Sequence, residues 1–441
     1  MRGVYSTALR LATPVYLARL LWRSRREPLY RSHLGERLGL GERLGLGAAH
    51  GEPGRLWIHA VSLGEARAAE PLVAALRQRR PGLRLLLTHG TATGREAGAA
   101  LLREGDRQVW LPYDTPGAVR RFLQSHRPLL GVLMETEVWP NLLHEAARAG
   151  VPMVLANARL SERSLEKGDR LAALMRPAVA SLSSVLAQTE ADATRLRQAG
   201  AGGVTVAGNL KFDLAPDATL VARGQAWRQA LGRPVVLMAV SREGEEAELL
   251  RAWAQAQARV TFRPGPSPLL LIVPRHPQRF DEVATLVERS GLSLARRSAF
   301  AGDPPLAARE AQVWLGDSLR EMPLYYGLAD VALLGGSFAP LGGQNLIEAA
   351  ACGCPIVLGP HTFNFALAAE LALEAGAAWR AADLPAALAQ AGELLASPQR
   401  RTEAAERALR FAQQHRGAAD RMAEAILDRA FGRGQSPSVL R

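Results

Sequence analysis

Residues Ala329 to Phe365 read ADVALLGGSFAPLGGQNLIEAAACGCPIVLGPHTFNF. An apolar run, Val331–Leu334, ends in Gly335-Gly336-Ser337, and a second glycine pair, Gly342-Gly343, opens a predicted helix from Gln344 to Ala351 that carries Glu348. Another apolar run, Ile356–Leu358, ends in Gly359-Pro360-His361. A strand, a glycine loop and a helix start are the parts of an anion site, because free backbone N–H groups and the positive end of the helix point at one place. Glycines there let a phosphate approach the backbone with no side chain in the way. Glu348, one turn further in, is placed to accept hydrogen bonds from ribose hydroxyls. An ordinary βα unit of a large α/β protein has the same parts, so the rest of the chain decides.

Outward from this stretch the pattern repeats. Apolar runs at Leu56–Val61, Leu83–Thr88, Leu129–Met134, Met153–Ala156, Val185–Ala187 and Val204–Ala207 alternate with helical stretches rich in Ala, Leu and Arg. A second series follows at Val235–Ala239, Leu269–Val273 and Val313–Leu315, leading into the two runs already quoted. Such alternation predicts an α/β protein with mostly parallel sheets covered by helices on both faces. At 441 residues the chain is too long for one core. The expectation is two doubly wound, Rossmann-like domains in tandem, 51–213 and 214–441, with ligands at the carboxyl ends of the strands, in a cleft between them.

Residues 1–50 stand apart as a helix and linker. Val4 to Trp22 is mostly apolar but contains Arg10, Pro14 and Arg19, and Arg23, Arg25, Arg26 and Arg31 follow. It lacks the clean apolar core and small-residue cleavage site of a signal peptide, and the mid-segment arginine argues against an easy transmembrane span. An apolar helix followed by an arginine cluster suits an anionic membrane surface; a first helix packed on the protein body is the other reading. Leu34 to Gly47 contains the tandem repeat LGERLG-LGERLG, read as a local duplication inside the linker.

The net charge of +12 fits three kinds of partner: nucleic acid, an anionic membrane, or phosphorylated substrates. Basic runs interleaved with aromatics are not evident, and no zinc or RNA-binding pattern occurs, so nucleic acid is set aside. Cys352 and Cys354 form a lone C-x-C without nearby ligands and read as small buried residues in a reducing compartment.

Polar residues just after the apolar runs are the site candidates. Glu65 follows the first strand in Ser62-Leu63-Gly64-Glu65, where a carboxylate opening a helix can take a proton from a hydroxyl, or simply serve the helix dipole. Glu135 and Glu137 follow the third run and, if extended, point the same way; Glu135 is a secondary candidate and Glu137 is read as structural or paired with an arginine. Arg275, delivered by the run Leu269–Val273, offers a fixed charge and a planar fork to phosphate oxygens, with His276 beside it. Gly336, Ser337, Gly342, Gly343 and Asn345 supply phosphate-facing donors. Asn209 and Lys211 either contact a ligand or hold the hinge. Asn364 is a further cleft candidate. No Asp-x-Asp metal motif occurs, and no metal or cofactor is expected.

The motifs WIHAVSLGE, LPYDTP, ETEVWPN, NARLSERS, GNLKFD, VPRHP, GGQNLIEAAACGCP and GPHTFNF, in this order, resemble those of the bacterial 3-deoxy-D-manno-octulosonic acid (Kdo) transferase family. The likeness runs from Tyr5 to Ala377. It implies a GT-B fold, with 51–213 binding the acceptor and 214–441 the nucleotide sugar. It also implies CMP-Kdo as donor, the lipid A precursor lipid IVA as acceptor, metal-free inversion at the anomeric carbon, and an enzyme on the cytoplasmic face of the inner membrane. Glu65 matches the family's proposed base. The phosphate site then becomes a site for CMP, with Arg275 and the Gly342-Gly343 helix start on phosphate and Glu348 on ribose. Gln344 departs from the pattern, since histidine commonly stands there; glutamine donates a hydrogen bond but carries no charge. Two other readings remain at this point: another GT-B enzyme using a UDP-sugar, and a non-catalytic membrane-surface protein.

Overall fold

Fourteen strands form two parallel sheets of seven in the computed structural model, whose described residues are 1–40, 54–258, 262 and 266–432. In the first unit the strands are β1 (Leu56–His59), β2 (Leu85–His89), β3 (Arg107–Trp110), β4 (Leu130–Met134), β5 (Met153–Ala158), β6 (Ser184–Ala187) and β7 (Val204–Val206), in the order β3-β2-β1-β4-β5-β6-β7. In the second they are β8 (Val235–Ser241), β9 (Leu269–Pro274), β10 (Leu294–Arg296), β11 (Val313–Leu315), β12 (Val331–Leu334), β13 (Ile356–Leu358) and β14 (Ala378–Arg380), ordered β10-β11-β9-β8-β12-β13-β14. Central strands such as LLLIVP are buried along their whole length, which is why they read as unbroken apolar runs. The sequence reading missed β3, β10 and β14. All three lie at sheet edges, where RQVW, LAR and AWR are half-exposed and need no apolar run.

Unit 1 comprises Met1–Leu214 with Arg416–Arg441, and unit 2 comprises Ala215–His415. The expected division put everything from residue 214 onward in the second domain. The last helix, Ala418–Phe431, instead returns to unit 1, where Met422, Ala423 and Ile426 join Leu72, Leu76 and Leu130 in one core. Its first turn is fastened by the Asp213 carboxylate, which accepts the Ala419 N–H at 2.7 Å.

The first copy of the repeat is likewise part of unit 1 rather than linker. Leu34–Leu38 forms a short helical turn. Its Glu36 accepts the Trp110 N–H at 2.7 Å and pairs with Arg95 at 3.0 Å, while the Arg37 guanidinium stacks 4.2 Å from the Trp110 ring. The second copy begins at Leu40, and from Gly41 onward it lies outside the described residues.

Helix α1 (Arg2–Arg23) is pinned near its amino end. The Tyr5 hydroxyl donates to Asp114 at 2.9 Å, and the Ser6 hydroxyl to the Asn141 side chain at 2.9 Å. Asp114 also accepts the N–H groups of Asn141 and Leu142, so one buried carboxylate caps the helix Pro140–Arg148 and anchors α1. Burial pushes its carboxyl up to about 6. On its face away from that anchor α1 exposes Val4, Leu11, Val15 and Trp22, which recur at helical spacing and form one apolar stripe. Among the described residues no helix is long and apolar enough to cross a membrane.

Candidate active site

In unit 1 the site is built where β1 and its neighbour β4 end. Helix α2 (Leu63–Arg79) begins in the pattern Ser62-x-x-Glu65, a variant of the capping box in which the glutamate reaches one residue further back, to Val61. The Ser62 Oγ accepts the Glu65 N–H at 3.4 Å, and Glu65 accepts the Val61 N–H at 2.8 Å and the Ser62 hydroxyl at 3.1 Å. Each carboxylate oxygen has two lone pairs, so this half-buried group keeps acceptor capacity for a further proton donor. Burial raises its pKa above the ordinary value, and the charge of Glu135 adds to that. The Val61 N–H, the Ser62 hydroxyl and Arg159 pull in the other direction.

The arginine pairing allowed for Glu137 falls to Glu135 instead, while Glu137 keeps a structural bond. Glu135 is not extended but sits at φ +56°, in a turn closing β4. It is the arginine-paired member, with Arg159 at 3.7 Å and Lys211 at 3.9 Å. Glu137 instead accepts the Trp139 indole N–H at 2.8 Å. Its carboxyl is pushed up to about 7, by burial first and then by the charge of Glu65. The turn at Glu135, which redirects the two side chains, was not legible from spacing alone. Asn209 accepts the Lys211 N–H at 3.0 Å and donates to the Gln188 side chain at 3.1 Å, holding the turn that carries Lys211 toward Glu135.

In unit 2 the site collects at the carboxyl ends of β8, β9, β12 and β13. Gly343 N–H donates to Gly336 C=O at 2.8 Å, and Asn364 N–H to Gly342 C=O at 3.0 Å. The exposed Asn364 side chain donates to Leu341 C=O at 3.0 Å. Gly342, at φ +87°, has no room for a Cβ beside Asn364 and Phe363. Arg275 is exposed and, among the described residues, pairs with no carboxylate; its backbone N–H is held by Ser241 C=O at 2.9 Å. His276 is half-buried and precedes the turn Pro277–Arg279. Gln344 lies over Gly336, as does the side chain of Arg242, a cation directly after β8 to which the sequence reading gave no role. Glu348 is half-buried, and its charge reaches the buried Tyr326 and Cys352.

Besides the Gly343 N–H, three further expected phosphate donors are engaged elsewhere. The Gly336 N–H donates to both oxygens of Glu245 at 2.8 Å. The buried Ser337 hydroxyl donates to Leu334 C=O, and its oxygen accepts the Gly359 N–H at 2.8 Å. Asn345 is the cap of the helix, which runs Leu346–Ala351, and accepts the Ile347 N–H at 3.1 Å. These three shape the loop from inside. The polar side chains left at its surface are Arg275, Gln344 and Arg242, the last paired with Glu243 at 3.3 Å. Cys352 and Cys354 are buried and free. Among the described residues no group of three or more His, Cys, Asp or Glu side chains is arranged to hold a metal ion.

Two seven-stranded parallel units, with carboxylates at the strand ends of one and arginines with glycine loops at those of the other, define a protein of the GT-B fold class. Its fold is similar to that of UDP-GlcNAc 2-epimerase from Neisseria meningitidis bound to UDP-GlcNAc, with a TM-score of 0.55 and 15% identity over 85% of this chain and 98% of that one. The chain belongs to the 3-deoxy-D-manno-octulosonic acid transferase family. It is 50% identical to the Bordetella pertussis 3-deoxy-D-manno-octulosonic acid transferase over 97% of this chain and 99% of the relative. It is 35% identical to the Haemophilus influenzae transferase of the same name, over 82% and 83%. The family model for 3-Deoxy-D-manno-octulosonic-acid transferase (kdotransferase) matches residues 33–214. The protein is a glycosyltransferase.

Proposed function

We propose that this enzyme transfers Kdo from CMP-Kdo to the lipid A precursor lipid IVA in lipopolysaccharide synthesis, with inversion and without a metal. Family membership supports the donor and the class of acceptor. The observation that carries the mechanism is Glu65, whose carboxylate is fixed by the Val61 N–H and the Ser62 hydroxyl while burial raises its basicity. An acceptor hydroxyl is a weak nucleophile. Glu65 takes its proton as the oxygen bonds to the anomeric carbon, and the bond from that carbon to the CMP phosphate oxygen breaks with its electron pair on the phosphate. The departing phosphate needs charge stabilisation more than a proton, and Arg275 with the helix start that follows Gly342-Gly343 supplies it. Glu348 takes the ribose. Glu135, held by Arg159 and Lys211, borders the acceptor side.

The enzyme works at the cytoplasmic face of the inner membrane, with α1 lying on the surface rather than crossing it. The support is its exposed stripe, where Leu11 is 75% and Val15 69% exposed, together with the following arginines. Mass spectrometry of the product from lipid IVA and CMP-Kdo, with and without EDTA, tests donor, acceptor and metal independence together. A lipid IVA product heavier by Kdo, unchanged by EDTA, is expected. Transfer from UDP-sugars alone would overturn the donor assignment.

A further inference from the structure

The loops that form the unit 2 site are joined beneath its surface by two adjacent carboxylates, Glu245 and Glu246, in the first turn of the helix Glu245–Ala258. Glu245 is 1% and Glu246 0% exposed. Glu245 faces the glycine loop. Both its oxygens accept the Gly336 N–H at 2.8 Å, and Oε1 also accepts those of Phe338 at 3.3 Å and Ala339 at 3.2 Å. Its Oε2 takes the Arg242 N–H at 2.9 Å.

Glu246 faces the other way. It accepts the Ser241 hydroxyl at 2.7 Å and the fork of Arg279 at 2.7 and 3.1 Å. Ser241 in turn accepts the Arg275 N–H through its carbonyl. The connection passes through a distorted strand end: the β8–β9 register shifts between Ala239 and Ser241, and Val240 sits at φ +59°, an uncommon conformation for a β-branched residue. Gly335 packs so tightly there that a Cβ would run into the Val240 carbonyl. Burying two carboxylates is unfavourable unless their lone pairs are answered. Here they are answered by groups belonging to the two donor-side loops.

We propose that Glu245 and Glu246 are positioning residues that brace the donor site, setting the spacing between Arg275 and the Gly336–Gly343 loop and thereby the affinity for the donor's phosphate. The inference rests on the assignment of the donor to unit 2. Neither carboxylate touches substrate. Glu245 acts through Gly336 and Glu246 through Ser241 and Arg275. Neutralising either one loosens the donor side and leaves the acceptor side, in unit 1, unchanged.

The experiment uses the full-length enzyme carrying Glu245→Gln or Glu246→Gln. It measures KM for CMP-Kdo and for the lipid acceptor separately, and CMP binding by calorimetry. Misplacement of a positioning element predicts a rise of about tenfold or more in donor KM and in the Kd for CMP, with acceptor KM unchanged. A loss confined to kcat or to melting temperature, with donor KM and CMP affinity as in the parent, overturns the brace. Should both variants fail to fold, Arg279→Lys removes the fork on Glu246 while keeping the charge. A raised donor KM in that variant supports the brace, and an unchanged one overturns it. Arg275→Ala separates the two levels. Unchanged CMP binding in Arg275→Ala would sink the donor-site assignment, whereas weakened binding there with normal binding in both glutamate variants would sink the brace alone.

Discussion

The two units end their sheets alike but use charge in opposite ways. At the strand ends of unit 1 stand Glu65, Glu135 and Glu137, of which Glu135 is paired with cations while the other two carry raised pKa values. In unit 2 the carboxylates Glu245 and Glu246 are consumed by backbone N–H groups and Arg279, and Asp317 by Arg296 and Ser298. Arg275 is left exposed and cationic. A group that receives a proton needs burial and neighbouring negative charge to raise its basicity. A surface that receives a phosphate needs cations and N–H groups with no competing carboxylate beside them. One architecture serves both tasks because strand-end loops can be filled independently of the sheet.

The largest expected effect breaks the comparison on the unit 1 side. Glu65→Gln keeps the shape of the capping box but removes the base, and kcat should fall by roughly 10²–10⁴-fold. The accompanying loss of stability should be only about 0.5–2 kcal/mol, the scale of a helix cap. Steady-state kinetics beside a denaturant titration checks both; full activity in a folded variant would remove the base role. On the unit 2 side, Arg275→Ala deletes a charge-assisted contact of about 1.5–3 kcal/mol, so donor affinity should drop roughly 10–100-fold with acceptor KM unaltered.

Glu137 gives a sharper test of why unit 1 differs. Its folded pKa, about 7, lies above the value of about 4.3 for an unfolded glutamate, so the folded state holds the proton more tightly. Its favourable contribution is therefore complete below the unfolded value and is lost as pH rises toward about 7. Glu137→Gln, which stays neutral, should melt higher than the parent by a few degrees at about pH 8 and nearly equally at about pH 4. Equal shifts at both pH values would mean that the gain comes from packing. The smallest effect is expected of Gln344→His. If this position serves as a hydrogen-bond donor over Gly336, donor KM changes by less than about threefold; a larger gain confined to acid pH would show that its charge matters.

Much of this was legible in residue order alone. Uninterrupted apolar runs found the central strands, since a parallel strand buried on both faces admits little else. Glu65 opens a helix in sequence and in space, because the pattern at a helix start acts within one turn. The edge strands β3, β10 and β14 left no comparable signal. The return of Ala418–Phe431 to unit 1 also escaped, because an amphipathic stretch shows that a face is buried but not against what.

The sequence by itself determined the parallel α/β class, the glycine loop, the candidate base and the family, all of which depend on local pattern or on motifs in order. Only the tertiary structure decided which charges remain available. Glu135 rather than Glu137 meets Arg159 because β4 closes in a left-handed turn. The Gly336 N–H is turned to Glu245, 91 residues earlier in the chain, because β8 and β12 are neighbours in the sheet. Availability of a charge depends on partners that are distant in sequence, and only the packing of strand ends brings those partners within hydrogen-bond range.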